Sequence, residues 1–243
     1  MDHTIVSSHQ PHFFPWVGYL DKMAKSDLFI INDIAQLETK SPMTRNKIIN
    51  EHGAVRYISI PVQKTGHTVL PNRKIKLSDW NASRETIFGI LLNSYRKAPF
   101  FDEIIPLIRR IFEKEYEYLY QIDLAAIDMF RECLDITTPI VINSTLDVEK
   151  GETKSISICN KIKAVGGTVY LSGVGGKKYM DESVFTENGV RVVYQDYKSI
   201  VYHQHNTAEF VPNLSALDLL FNCGVGESKR LFWDNVKRGG ELF

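Results

Sequence analysis

An excess of charge of one sign is the first thing this sequence lacks. Its 29 Lys and Arg side chains are matched by 29 Asp and Glu, so the basic surplus that general nucleic-acid binding requires is absent. Cysteine is scarce as well. The three thiols, Cys133, Cys159 and Cys223, are odd in number and far apart, which argues against a disulfide framework and a Cys-x-x-Cys metal knuckle. Cys133 and Cys159 fall within apolar helical stripes and read as structural thiols. No apolar run reaches the roughly 20 residues that span a bilayer, and Asp2 and His3 stand where a signal peptide would place basic residues before an apolar stretch. The expectation is a cytoplasmic protein with no membrane span. Neither a Walker loop nor a Gly-x-Gly-x-x-Gly turn is present, and no internal repeat or low-complexity segment interrupts the chain.

What is there is a chain of 243 residues, 44% hydrophobic and 24% charged, long enough to bury a substantial core. Residues 4–8 read as a buried strand, 16–25 as a helix with Leu20, Met23 and Ala24 at helical spacing, and 28–32 as a second strand. Residues 55–62 alternate as a strand ending near Pro61, and 73–77 alternate basic and apolar side chains. From Asn81 the period turns helical. Ile87, Ile90, Leu91 and Tyr95 form a stripe that stops at Lys97-Ala98-Pro99, and 102–136 carries a longer stripe suited to two or more packed helices. Strand, helix and strand follow at 139–143, 154–165 and 168–171, a βαβ unit that implies parallel pairing. A strand at 190–194 and helices at 214–223 and 226–237 complete the pattern. It predicts an α/β fold: a Rossmann-like, mostly parallel sheet with a helical region at about 81–136 packed on it or inserted into it, in a single domain over 1–243.

Four clusters carry candidate chemistry. His9-Gln10-Pro11-His12-Phe13-Phe14-Pro15-Trp16-Val17-Gly18-Tyr19-Leu20 gathers proton-handling groups, two prolines and four aromatic side chains at a strand-to-helix corner. In an α/β fold that corner faces the crevice above the strand ends, so His9, Gln10 and Tyr19 are candidates for substrate contact. The purely structural alternative has Phe13, Phe14 and Trp16 filling a core gap while the histidines cap backbone groups. Thr44-Arg45-Asn46-Lys47 offers a planar fork and a point charge to phosphate or carboxylate; an exposed basic turn is the alternative. Ser172-Gly173-Val174-Gly175-Gly176-Lys177-Lys178-Tyr179 follows a strand. Its glycines let a ligand approach the backbone, with Ser172, Lys177 and Tyr179 in reach of phosphate or sugar; a plain connecting loop is the alternative. His203-Gln204-His205 puts two imidazoles on one face of an extended segment, but spacing identifies no third ligand and no metal site is assigned.

A longer set of residues carries a family likeness. It comprises His9-Gln10-Pro11 with Pro15-Trp16-Val17-Gly18-Tyr19, then Lys22, Asp27, Asp33, Gln36 and Arg45-Asn46. Ile58-Ser59-Ile60-Pro61-Val62 and Tyr95-Arg96-Lys97-Ala98-Pro99-Phe100-Phe101 extend it. Downstream stand Tyr170-Leu171-Ser172-Gly173, Gly175-Gly176-Lys177, Tyr179, Tyr194-Gln195-Asp196-Tyr197, Phe210, Pro212 and the run 214–224. Together these resemble the WbqC-like family over nearly the whole chain. Two positions depart: Arg84-Glu85 stands where the family often has Lys-His, and Val174 replaces a proline.

The resemblance implies an acyl- or aminoacyl-transferase, glycyl transfer included, acting on a nucleotide-activated amino sugar for O-antigen or other surface-polysaccharide biosynthesis. A sugar amine would attack an activated carbonyl, with His9 as base and Gln10 or Tyr19 as oxyanion donor. Arg45 with Lys177 would clamp the diphosphate. Trp16, Asp33, Asn46, Ser172, Tyr179 and Asp218 complete the expected substrate-binding set, and the co-substrate is ATP or an activated acyl or aminoacyl donor. Two further readings stay open. The opening also resembles nucleotidylyltransferases and adenylate-forming ligases with an HxGH corner, although His9 and His12 lie early for it and Pro11 replaces the glycine. The other is a non-catalytic sugar-nucleotide binding or scaffold protein whose aromatics stack on sugar or base.

Overall fold

The structure, a computed structural model, describes residues 3–38, 40–66 and 69–238. The chain opens as strand, helix, strand. β1 (Ile5–His9) runs into the aromatic corner and then α1 (Val17–Ala24), and β2 (Leu28–Ile31) returns parallel to β1 with Val6 opposite Leu28 and His9 opposite Ile31. Val17 through Met23 are all buried, Asp21 and Lys22 included, so α1 is covered on every side and its polar residues need a reason to be there.

Of the basic segment at 44–47, only Thr44 lies in a turn. Arg45 opens β3 (Arg45–Ile49), which pairs antiparallel with β4 (Val55–Ser59) in a separate two-stranded ribbon, Arg45 opposite Ser59. Residues 73–77 are not a full strand either; Asn72–Lys74 is a turn of 3₁₀ helix, followed by single bridges from Val62 to Leu77 and from Lys76 to Tyr118. The helical middle consists of α2 (Trp80–Tyr95), α3 (Phe101–Phe112) and α4 (Leu119–Leu134). Asp79 caps α2 by accepting from the Ala82 amide at 3.0 Å, which satisfies one of the free N–H groups of the first turn.

β5 (Ile140–Ile142) precedes α5 (Lys154–Ala164), capped by the Thr153 side chain. β6 (Val169–Ser172) follows, and then α6 (Glu182–Glu187), which the sequence pattern did not announce, leads to β7 (Arg191–Tyr194). α7 (Ala216–Arg238) covers both expected C-terminal helices. It breaks at Gly224, where φ is 71° and a Cβ would meet the Phe100 ring at 2.5 Å, a position only glycine fills without strain.

The sheet order is β5-β2-β1-β6-β7, every neighbouring pair parallel. Phe29 and Ile31 on one face join α1, the helical middle and α7 in the larger apolar cluster. Val6, Ile30 and Tyr170 on the other face pack on Cys159 and Ile162 of α5 and Phe185 of α6. The helical middle is therefore both inserted in the β2-to-β5 crossover and packed on one face of a Rossmann-like sheet. The chain moves outward from β1 through β2 to β5, then returns across β1 to β6. At that reversal the loops above the strand ends part, and a crevice opens between the carboxyl ends of β1 and β6. Among the described residues no helix is long and apolar enough to cross a membrane.

Candidate functional site

Three adjoining hollows occupy this crevice and its rim. The first, about 350 Å³, lies above β1 and β6, with walls from Ser8, His9, Gln10, Lys22, Asn32, Lys161, Ser172, Gly173, Gly175 and Tyr179. The second, about 490 Å³, shares His9, Lys22, Gly173 and Gly175 and adds Trp16, Tyr19, Gln195, Tyr197 and Asn213. The third, about 380 Å³, shares Trp16 and Asn213 with the second and is walled by His12, Lys40, Arg45, Asn46, Lys47 and Tyr57. No Asp or Glu lines any of them.

The corner that aims the histidines is held from outside. Phe14 has φ of 41°, a conformation costly for a residue with a Cβ, and Asn46 on β3 secures it by donating Nδ2 to the Phe13 and Phe14 carbonyls at 3.2 and 2.8 Å. The Phe13 amide donates to Pro42 and the Ala216 amide to Pro15, so ribbon and α7 grip the corner from both sides. Phe13 and Phe14 are fully buried, Phe14 against Phe112 and Phe130. A Cβ on Gly18 would overlap the Trp16 ring, which explains glycine at the start of α1. The result is a close triad of rings, with centroids 4.6 Å apart for His9 and His12, 5.1 Å for His9 and Tyr19, and 4.8 Å for His12 and Tyr19.

Burial sets the charge states. His9 Nδ1 lies 3.2 Å from the Gln10 carbonyl; a carbonyl only accepts, so the hydrogen-bond network assigns the proton to Nδ1 and the lone pair to Nε2. Burial, then Lys22, then His12 hold the His9 imidazole well below its ordinary range, so it is neutral near pH 7. Burial and Lys22 push His12 down to about 3. Burial and nearby Asp123 raise the Tyr19 phenol, which stays protonated. Asp123, on α4, is fully buried without a hydrogen-bond partner, and burial raises its pKa well above the usual carboxylate range. Lys22 donates to the Ser8 carbonyl at 3.2 Å and burial lowers it to about 7. The neighbouring carboxylate does not help it, because Asp21 pairs with Lys25 at 2.9 Å and accepts from Gln195.

The chain matches the WbqC-like protein family over residues 10–230. It belongs to that family. The match takes in nearly all of the corner and the whole glycine turn of this WbqC-like protein, so both walls of the crevice except Ser8 and His9 lie inside it. The protein named Uncharacterized protein Rv1507c, from Mycobacterium tuberculosis, is 30% identical to it over 219 residues, which cover 89% of this chain and 92% of that one. No solved structure matches.

Of the residues expected from sequence, His9, Gln10, Trp16, Tyr19, Ser172 and Tyr179 of the WbqC-like chain meet in the first two hollows. Arg45 and Asn46 line the third. Arg45 stacks 4.2 Å over the Tyr57 ring with its Nε unbonded, whereas the Asn46 amide is taken up by the corner and by the Lys47 amide. Three others stand apart from these walls. Asp33 accepts from the Ser144 amide at 2.9 Å and ties the end of β2 to that of β5. Lys177 lies over the Tyr194 ring at 4.9 Å. Asp218 accepts from the Tyr95 and Tyr202 hydroxyls and from Gln204, each at 2.9 Å. The His203-Gln204-His205 segment is similarly engaged, Gln204 with Asp218 and the His205 ring with Asn222. Among the described residues no group of three or more His, Cys, Asp or Glu side chains can hold a metal ion.

Sequence patterns did not single out Lys22, Lys161, Asn32, Gln195 or Asn213 as walls. For the lysines a signal existed. Lys22 falls three residues after Tyr19 on one helix face, and Lys161 three residues after Ile158 on another, positions where a solvated side chain is out of place.

Proposed function

We propose that this WbqC-like protein is a transferase that places an acyl or aminoacyl group on the amine of a nucleotide-linked amino sugar held in the crevice, as a step in O-antigen or other surface-polysaccharide biosynthesis. The carrying observation is the His9 imidazole, neutral above the switch point, with Nδ1 committed to the Gln10 carbonyl and Nε2 left as proton acceptor. Attack of the amine nitrogen forms the C–N bond and gives a zwitterionic adduct. Its ammonium is a far stronger acid than a free alkylammonium, so a weakly basic imidazole is sufficient to deprotonate it. His9 takes that proton and returns it to the leaving group as the bond between the carbonyl carbon and the donor breaks. The protonated Tyr19 phenol and the Gln10 amide supply donors for the oxyanion. Trp16 and Tyr197, edge to face at 5.1 Å, offer an apolar wall for sugar or base.

ATP-dependent nucleotidylyl or adenylyl transfer is the second reading, favoured by the contact of the His9 and His12 rings where β1 gives way to α1. The test incubates purified protein with nucleotide-linked amino sugars and either an acyl or aminoacyl thioester or free amino acid plus ATP, with products read by mass spectrometry. Acylated nucleotide sugar is expected, its rate falling about 100-fold in His9→Ala and by at least a similar factor in Tyr19→Phe. Product formed only with ATP, with release of AMP, favours the second reading. Nucleotide sugar that binds but is acylated from no donor would overturn the transferase and leave a binding or scaffold protein.

A further inference from the structure

We infer that Lys22 and Lys161 form a diphosphate-binding subsite between the carboxyl ends of β1 and β6. The assignment rests on the transferase proposal for the identity of its ligand, and it moves the diphosphate away from the Arg45 and Lys177 pair expected from sequence.

The two lysines come from opposite sides of the sheet. Lys22 is on α1, which packs with the larger apolar cluster, and Lys161 is on α5, which packs with the smaller one. Both reach the same hollow of about 350 Å³. They are 3% and 8% exposed, yet no carboxylate lines the hollow to neutralise them. The one hydrogen bond of the Lys22 ammonium goes to a neutral carbonyl, and the Lys161 ammonium makes none among the described residues. Desolvation lowers both ammonium groups, with no opposing charge contributing. Two buried cations without counter-charge are a standing cost to the fold. An anion seated between them would remove that cost, because each ammonium would then gain a charge-assisted hydrogen bond in a low-dielectric site.

The rest of the hollow suits the same ligand. Gly173 and Gly175 present backbone on which a Cβ would meet nothing within 4 Å, and at Gly176 a Cβ would overlap the Ser172 side chain, so the turn is bare toward the ligand where side chains would obstruct it. The Ser172 hydroxyl, in contact with the adjacent Gly173 carbonyl and with the Tyr170 side chain, stands on the same wall and can reorient toward an oxyanion. Two cations on separate walls of a hollow this size fit two linked phosphates better than one. Lys177, over the Tyr194 ring, is not a wall of it.

Inorganic pyrophosphate is the probe, titrated calorimetrically into the full chain at pH 7 with sulfate as the control. Saturable binding tighter than that of sulfate is expected, weakened about tenfold or more in Lys22→Met and in Lys161→Met. Lys163→Met, on the exposed side of α5 where Lys163 bonds Asn188, should leave it unaffected. A second arm uses wild-type protein, so that no variant need fold. Pyrophosphate should slow modification of Lys22 and Lys161 by an amine-directed reagent, read by peptide mass spectrometry, and spare Lys163. Affinity retained in both methionine variants, absence of pyrophosphate binding, or labelling of both lysines indifferent to saturating pyrophosphate would overturn the subsite. The two proposals fail separately. Pyrophosphate binding without sugar acylation removes the transferase and leaves the subsite; acylation by Lys161→Met with an unaltered KM for nucleotide sugar does the reverse.

Discussion

A lysine that is 3% exposed and bonded only to a carbonyl works against the stability of its own fold. Burial lowers Lys22 from its ordinary 10.5 to about 7. Between those values the unfolded chain holds a proton that the folded chain has released, so stability rises with pH across this window. The penalty is complete below pH 7 and absent above 10.5. Lys22→Met should therefore raise the unfolding free energy at pH 7 by roughly 3 to 5 kcal/mol, with the advantage shrinking as the pH approaches 10.5. Urea unfolding at a series of pH values measures it. A flat difference across that range would mean that Lys22 is not desolvated in the folded chain. The same variant is expected to weaken pyrophosphate binding about tenfold or more, since the ammonium that is costly to bury is the one that would hold the anion.

At the level of elements, the corner between β1 and α1 depends on a residue of a different sheet. Asn46 donates to two carbonyls around the strained Phe14, so the ribbon holds the geometry of His9 without touching it. Asn46→Ala should cost roughly 1 to 3 kcal/mol by leaving those carbonyls unsatisfied. Asn46→Asp should cost more, because it turns a carboxylate oxygen toward them in place of a donor. Thermal unfolding reads both, and an Asp variant as stable as wild type would show that the corner holds itself. The ribbon is also where sequence reading fell short. β1, α1, β2, the helical middle and the β5-α5-β6 unit were legible because their apolar residues repeat with a clear period. β3 begins Arg-Asn-Lys, a polar start whose burial comes from the corner laid across it, and α6 is too short at six residues to show a period. The histidine corner and the glycine turn were legible as composition. That the two buried lysines share a site was not, since Lys22 and Lys161 become neighbours of one hollow only through the reversal of strand order.

Over the whole molecule, the balance of 29 basic and 29 acidic side chains conceals segregation. The walls of the three hollows carry Lys22, Lys161, Lys40, Arg45 and Lys47 and no carboxylate, a field suited to an anionic ligand that total charge could not disclose. The acidic groups nearest in sequence to the motifs serve the fold instead. Asp218, near the start of α7, accepts from Tyr95 on α2 and from Tyr202 and Gln204 in the segment leading back to α7, joining three parts of the chain at one buried carboxylate. Burial raises its pKa, while the Tyr202, Tyr95 and Gln204 hydrogen bonds pull it back down. Asp218→Ala removes the shared acceptor and strands these three donors in the interior. The expected loss is roughly 3 to 5 kcal/mol of stability, seen as a lowered unfolding midpoint, with pyrophosphate affinity unchanged below that temperature. Asp218→Asn keeps the shape and part of the acceptor capacity and should fall between the two. Loss of ligand binding with an unaltered midpoint would instead make Asp218 a substrate contact, which requires α7 to shift until the carboxylate leaves Tyr95 and faces the crevice.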